Sequence, residues 1–208
     1  MADRSPGRPR EFDRDDALRA AATLFWQYGF SGTSTRALAT SLGISSSSLY
    51  AAFGSKADLF DEAVRTYALR YSAVYDAALA EPTLAQVVSR LLAGSIGEFV
   101  RTEDGHPGCL TSSAVMVDAS TTLDVRTFVT DLQRRDEERL RDRIEQSVLG
   151  GEVRPGTDAA TLAGLVQTMW HGLATRADLG ADVTELTSTA ELAVALLPLE
   201  HPADMPSR

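Results

Sequence analysis

The sequence predicts an all-α protein, with a small three-helix head built on a helix-turn-helix and a larger helical domain behind it. Three observations carry this expectation. Apolar residues recur at three- and four-residue spacing along most of the chain, with no stretch of strand-like alternation. Ser, Thr or Asp precedes the periodic segments, and Gly or Pro follows them, as helix starts and stops require. The third observation is the stretch from Thr35 to Gly54, TRALATSLGISSSSLYAAFG. It has the spacing of two short helices that cross steeply around one apolar seam. Leu38, Leu42, Ile44, Leu49 and Ala52 supply the seam, and Ala39 is small enough for the closest approach. Gly43 can take the left-handed conformation that ends the first helix, and Ser45 can cap the second. The competing reading is an ordinary hairpin in an all-helical core.

In chain order, residues 1–12 form an arm that interleaves Arg4, Arg8 and Arg10 with Pro6, Gly7 and Pro9. Such an arm either follows a narrow minor groove, whose negative potential attracts arginine, or is a disordered tail. Asp13 is placed to cap a first helix from Arg14 to Tyr28, closed by Gly29. Its stripe is Ala17, Leu18, Ala21, Leu24, Phe25 and Tyr28, and Phe30 plugs the base of the small core. Thr33 or Ser34 caps the next helix. Ser55 opens a long helix reaching about Ala80, striped by Phe60, Ala63, Val64, Tyr67, Tyr71, Val74 and Ala78. Lys56 falls in its first turn, which opposes the helix dipole unless that end faces a phosphate. Otherwise Lys56 is a plain surface lysine.

Pro82 breaks this helix, and another runs from Leu84 to Arg101. A loop, EDGHPG, leads to a short helix over CLTSSAVMVDAS. A long helix from Ser120 to Leu149 has a densely charged middle. Asp131–Arg135 and Glu137–Arg141 stand four apart there, so the simplest reading is a solvated face. Gly150, Gly151 and Pro155 separate it from a last pair, Asp158–Leu179 and Val183–Leu197. Ala163, Gly164, Gly172 and Ala174 permit close helix approach in that pair. It can form a four-helix bundle with a second copy, or close the chain's own core. The tail from Pro198 is expected to be disordered. The head is assigned to residues 11–58 and the larger domain to 59–200.

The 208 residues carry a net charge of −9. Seven Lys/Arg face six Asp/Glu through residue 60, and thirteen face twenty-three beyond it. The acidity therefore lies behind the head, and a local basic patch matters more for DNA than the total. No apolar run approaches the roughly eighteen residues of a membrane span, and the polar start lacks a signal-peptide core. A cytoplasmic protein with no membrane partner is expected. The single Cys109 excludes an intrachain disulfide framework. His106, His171 and His201 are too scattered for a metal site, and no cofactor is expected. No G-x-S-x-G elbow, metal-ligand cluster or phosphate-cradling glycine loop argues for an enzyme.

Ala17 to Phe60 resembles the tetracycline-repressor (TetR) family of transcription regulators. The marks are Gly29–Phe30, Thr33–Ser34, Ala39, Gly43, Leu49–Tyr50, Phe53, Ser55–Lys56 and Leu59–Phe60. Gly108–Leu110, reading GCL, resembles one branch of that family. Ser45 to Ser48 depart from it, since many members carry larger or charged side chains there. The resemblance implies a homodimer on a palindromic operator in double-stranded DNA. It also implies a ligand-binding and dimerisation domain in which an unidentified small-molecule effector releases DNA.

On this reading Ser45, Ser46, Ser47 and Ser48 lead the second motif helix into the major groove. Serine discriminates bases poorly alone, so Arg36 is expected to read bases or to clamp a phosphate. Thr33, Ser34 and Tyr50 are phosphate candidates through their hydroxyls, with Lys56, Arg8 and Arg10. Tyr50 packing on the first helix is the alternative. Phe99, Met116, Phe128, Gln167, Trp170 and His171 are pocket candidates, each also explicable as core or dimer contact. Cys109 is either a buried inert thiol or a reactive one, which would make a redox- or electrophile-sensing regulator. The expected function is a repressor released by a ligand; an activator is another alternative.

Overall fold

The computed structural model describes residues 13–101, 106–112 and 125–200. Arg4, Arg8, Arg10 and Met116 lie outside them, as do residues 120–124 of the long charged helix. Among the described residues the chain is helical, apart from loops and one isolated antiparallel bridge between Val153 and Leu199. No described helix is long and apolar enough to cross a membrane.

Helix α1 (Arg14–Gly32) starts where the Asp13 carboxylate accepts the amides of Asp15 and Asp16. As expected, its first continuous stretch ends at Tyr28. Gly29 leaves helical geometry at φ +69°, and the chain then makes one further turn to Gly32. Only glycine takes that conformation without strain. The turn brings Phe30 beside Phe25 and Phe60, with ring centroids 6.2 and 5.2 Å apart. Ser34 caps α2 (Thr35–Ser41) by accepting the Ala37 amide, and Ser45 caps α3 (Ser46–Phe53) by accepting that of Ser48. Gly43 turns between them at φ +64°. Leu38 and Leu49 are fully buried in the seam, each contributing about 1.5–3 kcal/mol by burial.

Ser55 caps α4 (Lys56–Leu79), accepting the Asp58 amide while its hydroxyl donates to the Asp58 carboxylate. This helix packs on α1 at one end and on α5 (Leu84–Phe99) and α6 (Val125–Gly150) beyond it. Helix α7 (Ala159–Asp178) lies along α6, and α8 (Val183–Ala195) closes against α5 and α7. One apolar core runs unbroken from Ala17 in the head to Leu197.

Three expectations need correction. On α4 the inward residue is Tyr75, whereas Val74 is half-buried. Along α6, Asp131 meets Arg134 at 3.5 Å, and Arg141 meets Glu145 at 3.6 Å. That face is not wholly solvated, because α4 and α7 cover part of it and leave Asp136 only 7 % exposed. The tail keeps its structure as far as Glu200, and residues 201–208 lie outside the described residues. Arg154 N donates to Pro198 O at 2.9 Å, and Glu200 N donates to Glu152 O at 2.8 Å. Burial of Val153 and Leu197 anchors the two segments that meet there.

Candidate functional site

The outer face of the head is polar and exposed. Ser45, Ser46, Ser47, Ser48 and Tyr50 all face outward on or beside α3, and Ser34 and Arg36 do so at α2. Ser45 Oγ lies 2.8 Å from Ser47 Oγ and 2.9 Å from Ser48 Oγ. Such hydroxyls both donate and accept, so they can turn toward bases or phosphates. Tyr50 is 47 % exposed, so about half of its side chain is open to solvent.

Thr33 corrects the expectation of a phosphate contact. It is buried, and its hydroxyl lies 2.7 Å from Gly29 O and 3.2 Å from Leu24 O. The break at Gly29 frees carbonyls from the helix ladder, and Thr33 satisfies them. Lys56 is no plain surface lysine. Its ammonium donates to Phe30 O and Thr33 O, both at 2.9 Å, and sits 4.1 Å from the Phe30 ring centroid. It clamps the corner between α1 and α2 and has a third hydrogen to offer outward. Lys56→Met should therefore destabilise the protein by about 1–3 kcal/mol in urea unfolding without any DNA. Unchanged stability would show the clamp to be idle.

Sequence reasoning did not single out Arg14. Its guanidinium bonds both Glu62 oxygens, at 2.9 and 2.6 Å, and Ala52 O at 2.9 Å, and lies over the Phe53 ring. It fastens α1 to α3 and α4. Its partners stand 38 and 48 residues away, so no local pattern announces it.

A file of aromatic rings leads from the head into the body. Trp26 on α1 meets Tyr67 edge-on at 5.2 Å. Tyr67 meets Tyr71 at 5.4 Å, with their hydroxyls 2.8 Å apart. Tyr71 meets Trp170 on α7 at 5.4 Å. Burial pushes both tyrosine phenols well above their ordinary range. Trp170 Nε1 donates to Ser95 Oγ at 2.7 Å, which fixes the end of the file. His106 lies 5.3 Å from the Trp26 ring and 3.4 Å from the Asp178 carboxylate. Beside it, Gly108 has φ +98°, and a Cβ there would stand 2.8 Å from Asp178 Cβ. The glycine of GCL is thus needed for close approach to α7.

Trp170 borders a cavity of about 30 Å³ between α4, α6 and α7. Ala68, Tyr71, Tyr75, Val129 and Leu132 line it, with Thr111, Gln133, Asp136, Gln167 and His171 as polar groups. Of the expected pocket residues, Gln167, Trp170 and His171 are brought together here. Phe99 is not in the lining; it packs as core, 5.2 Å from Trp170. Phe128 lies elsewhere, under the Arg65 guanidinium at 4.1 Å. Tyr75 and Asp136 were missed, one beside the expected stripe and the other inside a charged run. Cys109 is 1 % exposed with Sγ 3.0 Å from Thr111 Oγ1, a burial that does not favour a sensing thiol.

Besides the buried tyrosines, two groups in the lining are electrically altered. Burial pushes the His171 imidazole below its ordinary value, and its Nδ1 lies 3.3 Å from Ser112 Oγ. Burial pushes the Asp136 carboxyl up from 3.8 to about 6, against the opposing pull of Arg139 and Arg135. The folded state then holds more protons than the unfolded one between those two values. Stability from this group falls as pH rises through that window, and the penalty is complete above it. Asp136→Asn should thus stabilise the protein by about 1–2 kcal/mol at pH 7.5, a gain that vanishes by pH 4. Urea unfolding of both proteins across that range checks it; a pH-independent difference would contradict the buried-charge account.

An exposed recognition helix on a three-helix head, joined by a shared rod to a helical body, defines a helix-turn-helix regulator rather than an enzyme. Residues 17–63 match the family described as bacterial regulatory proteins, tetR family. The HTH-type transcriptional repressor ComR of Escherichia coli K12 is 30% identical over 202 residues, covering 94% of this chain and 93% of ComR. BdcR, an HTH-type transcriptional repressor of the same organism, is 50% identical over 64 residues, covering 31% of this chain and 32% of BdcR. Among solved structures, a cysteine mutant of the TetR family transcriptional regulator CifR, complexed with 26-bp double-strand operator DNA, aligns with a TM-score of 0.79. It is 31% identical, with 92% of this chain and all of that chain covered. The chain belongs to the TetR family of transcriptional regulators.

Proposed function

We propose that this protein is a homodimeric repressor that binds a palindromic operator and leaves it when a small molecule enters the cavity beside Trp170. The observation that carries this reading is the unbroken ring file, Trp26–Tyr67–Tyr71–Trp170, from head to cavity wall. The operator complex of CifR supports the DNA half of it. The head, residues 11–58, and the body, 59–200, share α4, so a shift at the cavity is felt at the head. A cavity of about 30 Å³ holds a water molecule or two. A ligand must therefore open it toward the roughly 300 Å³ of ordinary binding pockets, displacing α4 or α6.

In the DNA half, Ser46, Ser47 and Ser48 enter the major groove with Ser45 at the helix start. Arg36 reads bases beside them. Ser34, Tyr50 and the outward hydrogen of Lys56 hold phosphates, and Arg8 and Arg10 extend the contact from the arm. Half-site centres should lie about 34–36 Å apart, or a multiple of that. Selection of bound sites from random duplexes tests the assignment. Arg36→Ala should change the selected sequence, whereas Tyr50→Phe should weaken all sites alike. A uniform loss for Arg36→Ala would make it a phosphate clamp.

A further inference from the structure

We propose that the effector is an organic cation, with an ammonium or amidinium group received by Asp136 inside a cage of Tyr71, Tyr75 and Trp170. This rests on the cavity being the effector site and names the chemistry it selects. Among the described residues Asp136 is the one carboxylate in the lining, and no Lys or Arg lines the cavity. Its ion pair to Arg139 is long, 3.7 Å, and Arg139 is engaged by Asp76 at 2.6 Å. Burial already raises its carboxyl, the mark of a charge that lacks full compensation. The Tyr75 hydroxyl is a second unfilled group. Tyr75 is 3 % exposed, and that oxygen has no partner at full hydrogen-bonding distance, with the Gln167 side chain the nearest polar group to it.

Each class of occupant meets these groups differently. A neutral ligand would expel the little water the cavity holds and leave the carboxylate more poorly solvated. An anion would meet Asp136 with no lining cation in compensation. The other charged groups near the wall are Asp76, Glu137, Arg135 and Arg139, and His171 is kept neutral by burial. A cation pairs with Asp136 and lies against the electron-rich faces of Tyr71, Tyr75 and Trp170. An N–H of the same group can also donate to the Tyr75 hydroxyl oxygen.

The test uses three probes of one shape: 4-phenylbutylamine, 4-phenylbutanol and 4-phenylbutanoate. Binding is read by calorimetry on the full-length protein and by fluorescence of Trp170 in a Trp26→Phe background. The amine is expected to bind at least about tenfold more tightly than the alcohol, with the butanoate weakest. Asp136→Asn, checked for unchanged helicity, should bring amine and alcohol within about twofold of each other. An amine that fails to bind, binds no better than the alcohol, or keeps its advantage in Asp136→Asn overturns the inference. The wild-type series needs no variant to fold. Operator binding by the wild-type protein separates this inference from the release mechanism. An amine that binds through Asp136 without weakening the operator complex leaves the cation site standing but removes both its role as the effector site and the release mechanism. A neutral probe that binds best and releases DNA does the reverse.

Discussion

Replacing Leu165 and Leu192 together by glutamate should leave the protein monomeric and lower operator affinity by at least about a hundredfold. These side chains are 46 % and 63 % exposed on α7 and α8, and Leu196 beside them is 76 % exposed. Leucines that open to water on two adjoining helices are surplus to the core of the single chain and match the face of a helical bundle between copies. Four glutamates brought together across a two-fold axis would repel and would lose their water. Ala193 is a poorer probe, because it is half-buried and a charge there would also disturb the chain's own core. Two linked heads bind a palindrome with a high effective concentration for the second, which is worth about 10²–10⁴ in affinity. Sedimentation gives the mass, and fluorescence anisotropy with a labelled operator gives the affinity. A variant that still sediments as a dimer places the interface elsewhere.

Trp26→Leu should uncouple effector from DNA while leaving each of them able to bind. In the wild-type protein an effector is expected to weaken operator binding by about 5–150-fold, a coupling of about 1–3 kcal/mol. Linkage then requires the operator to weaken effector binding by the same factor. Trp26 stands at the head end of the ring file, against Tyr67 and His106, and is not in the cavity lining. Tyr71 serves less well, because it both lines the cavity and passes the displacement on. Loss of the indole removes the contact with Tyr67 that joins α1 to the ring file, while Arg14–Glu62 and Phe25–Phe60 still hold α1 on α4. The coupling factor should fall to within about threefold of unity, with effector affinity for the free protein held within about twofold. Titrating the effector into free and operator-bound protein measures both. A Trp26→Leu protein with full coupling would route the signal away from the ring file. A wild-type protein with equal effector affinities in the two states would remove the release mechanism altogether.

What the sequence determined by itself is what short-range forces decide. The caps at Asp13, Ser34, Ser45 and Ser55 and the turn at Gly43 need only neighbours a few residues away. Helical spacing likewise marked Phe60, Tyr67 and Tyr71 as inward. The tertiary structure alone decided how side chains from distant segments share space and charge. Thr33 and Lys56 have hydroxyl and ammonium groups suited to phosphate, but the break at Gly29 turns both onto freed carbonyls. Asp136 lies in a run of charges that reads as solvated, and only the approach of α4 and α7 buries it. Phe99 and Phe128 are equally aromatic on paper; packing sends one into the core and the other beneath Arg65. Periodicity tells which way a residue faces along its own helix. What it meets there depends on segments far away in the chain, whose positions follow from the burial of the whole core.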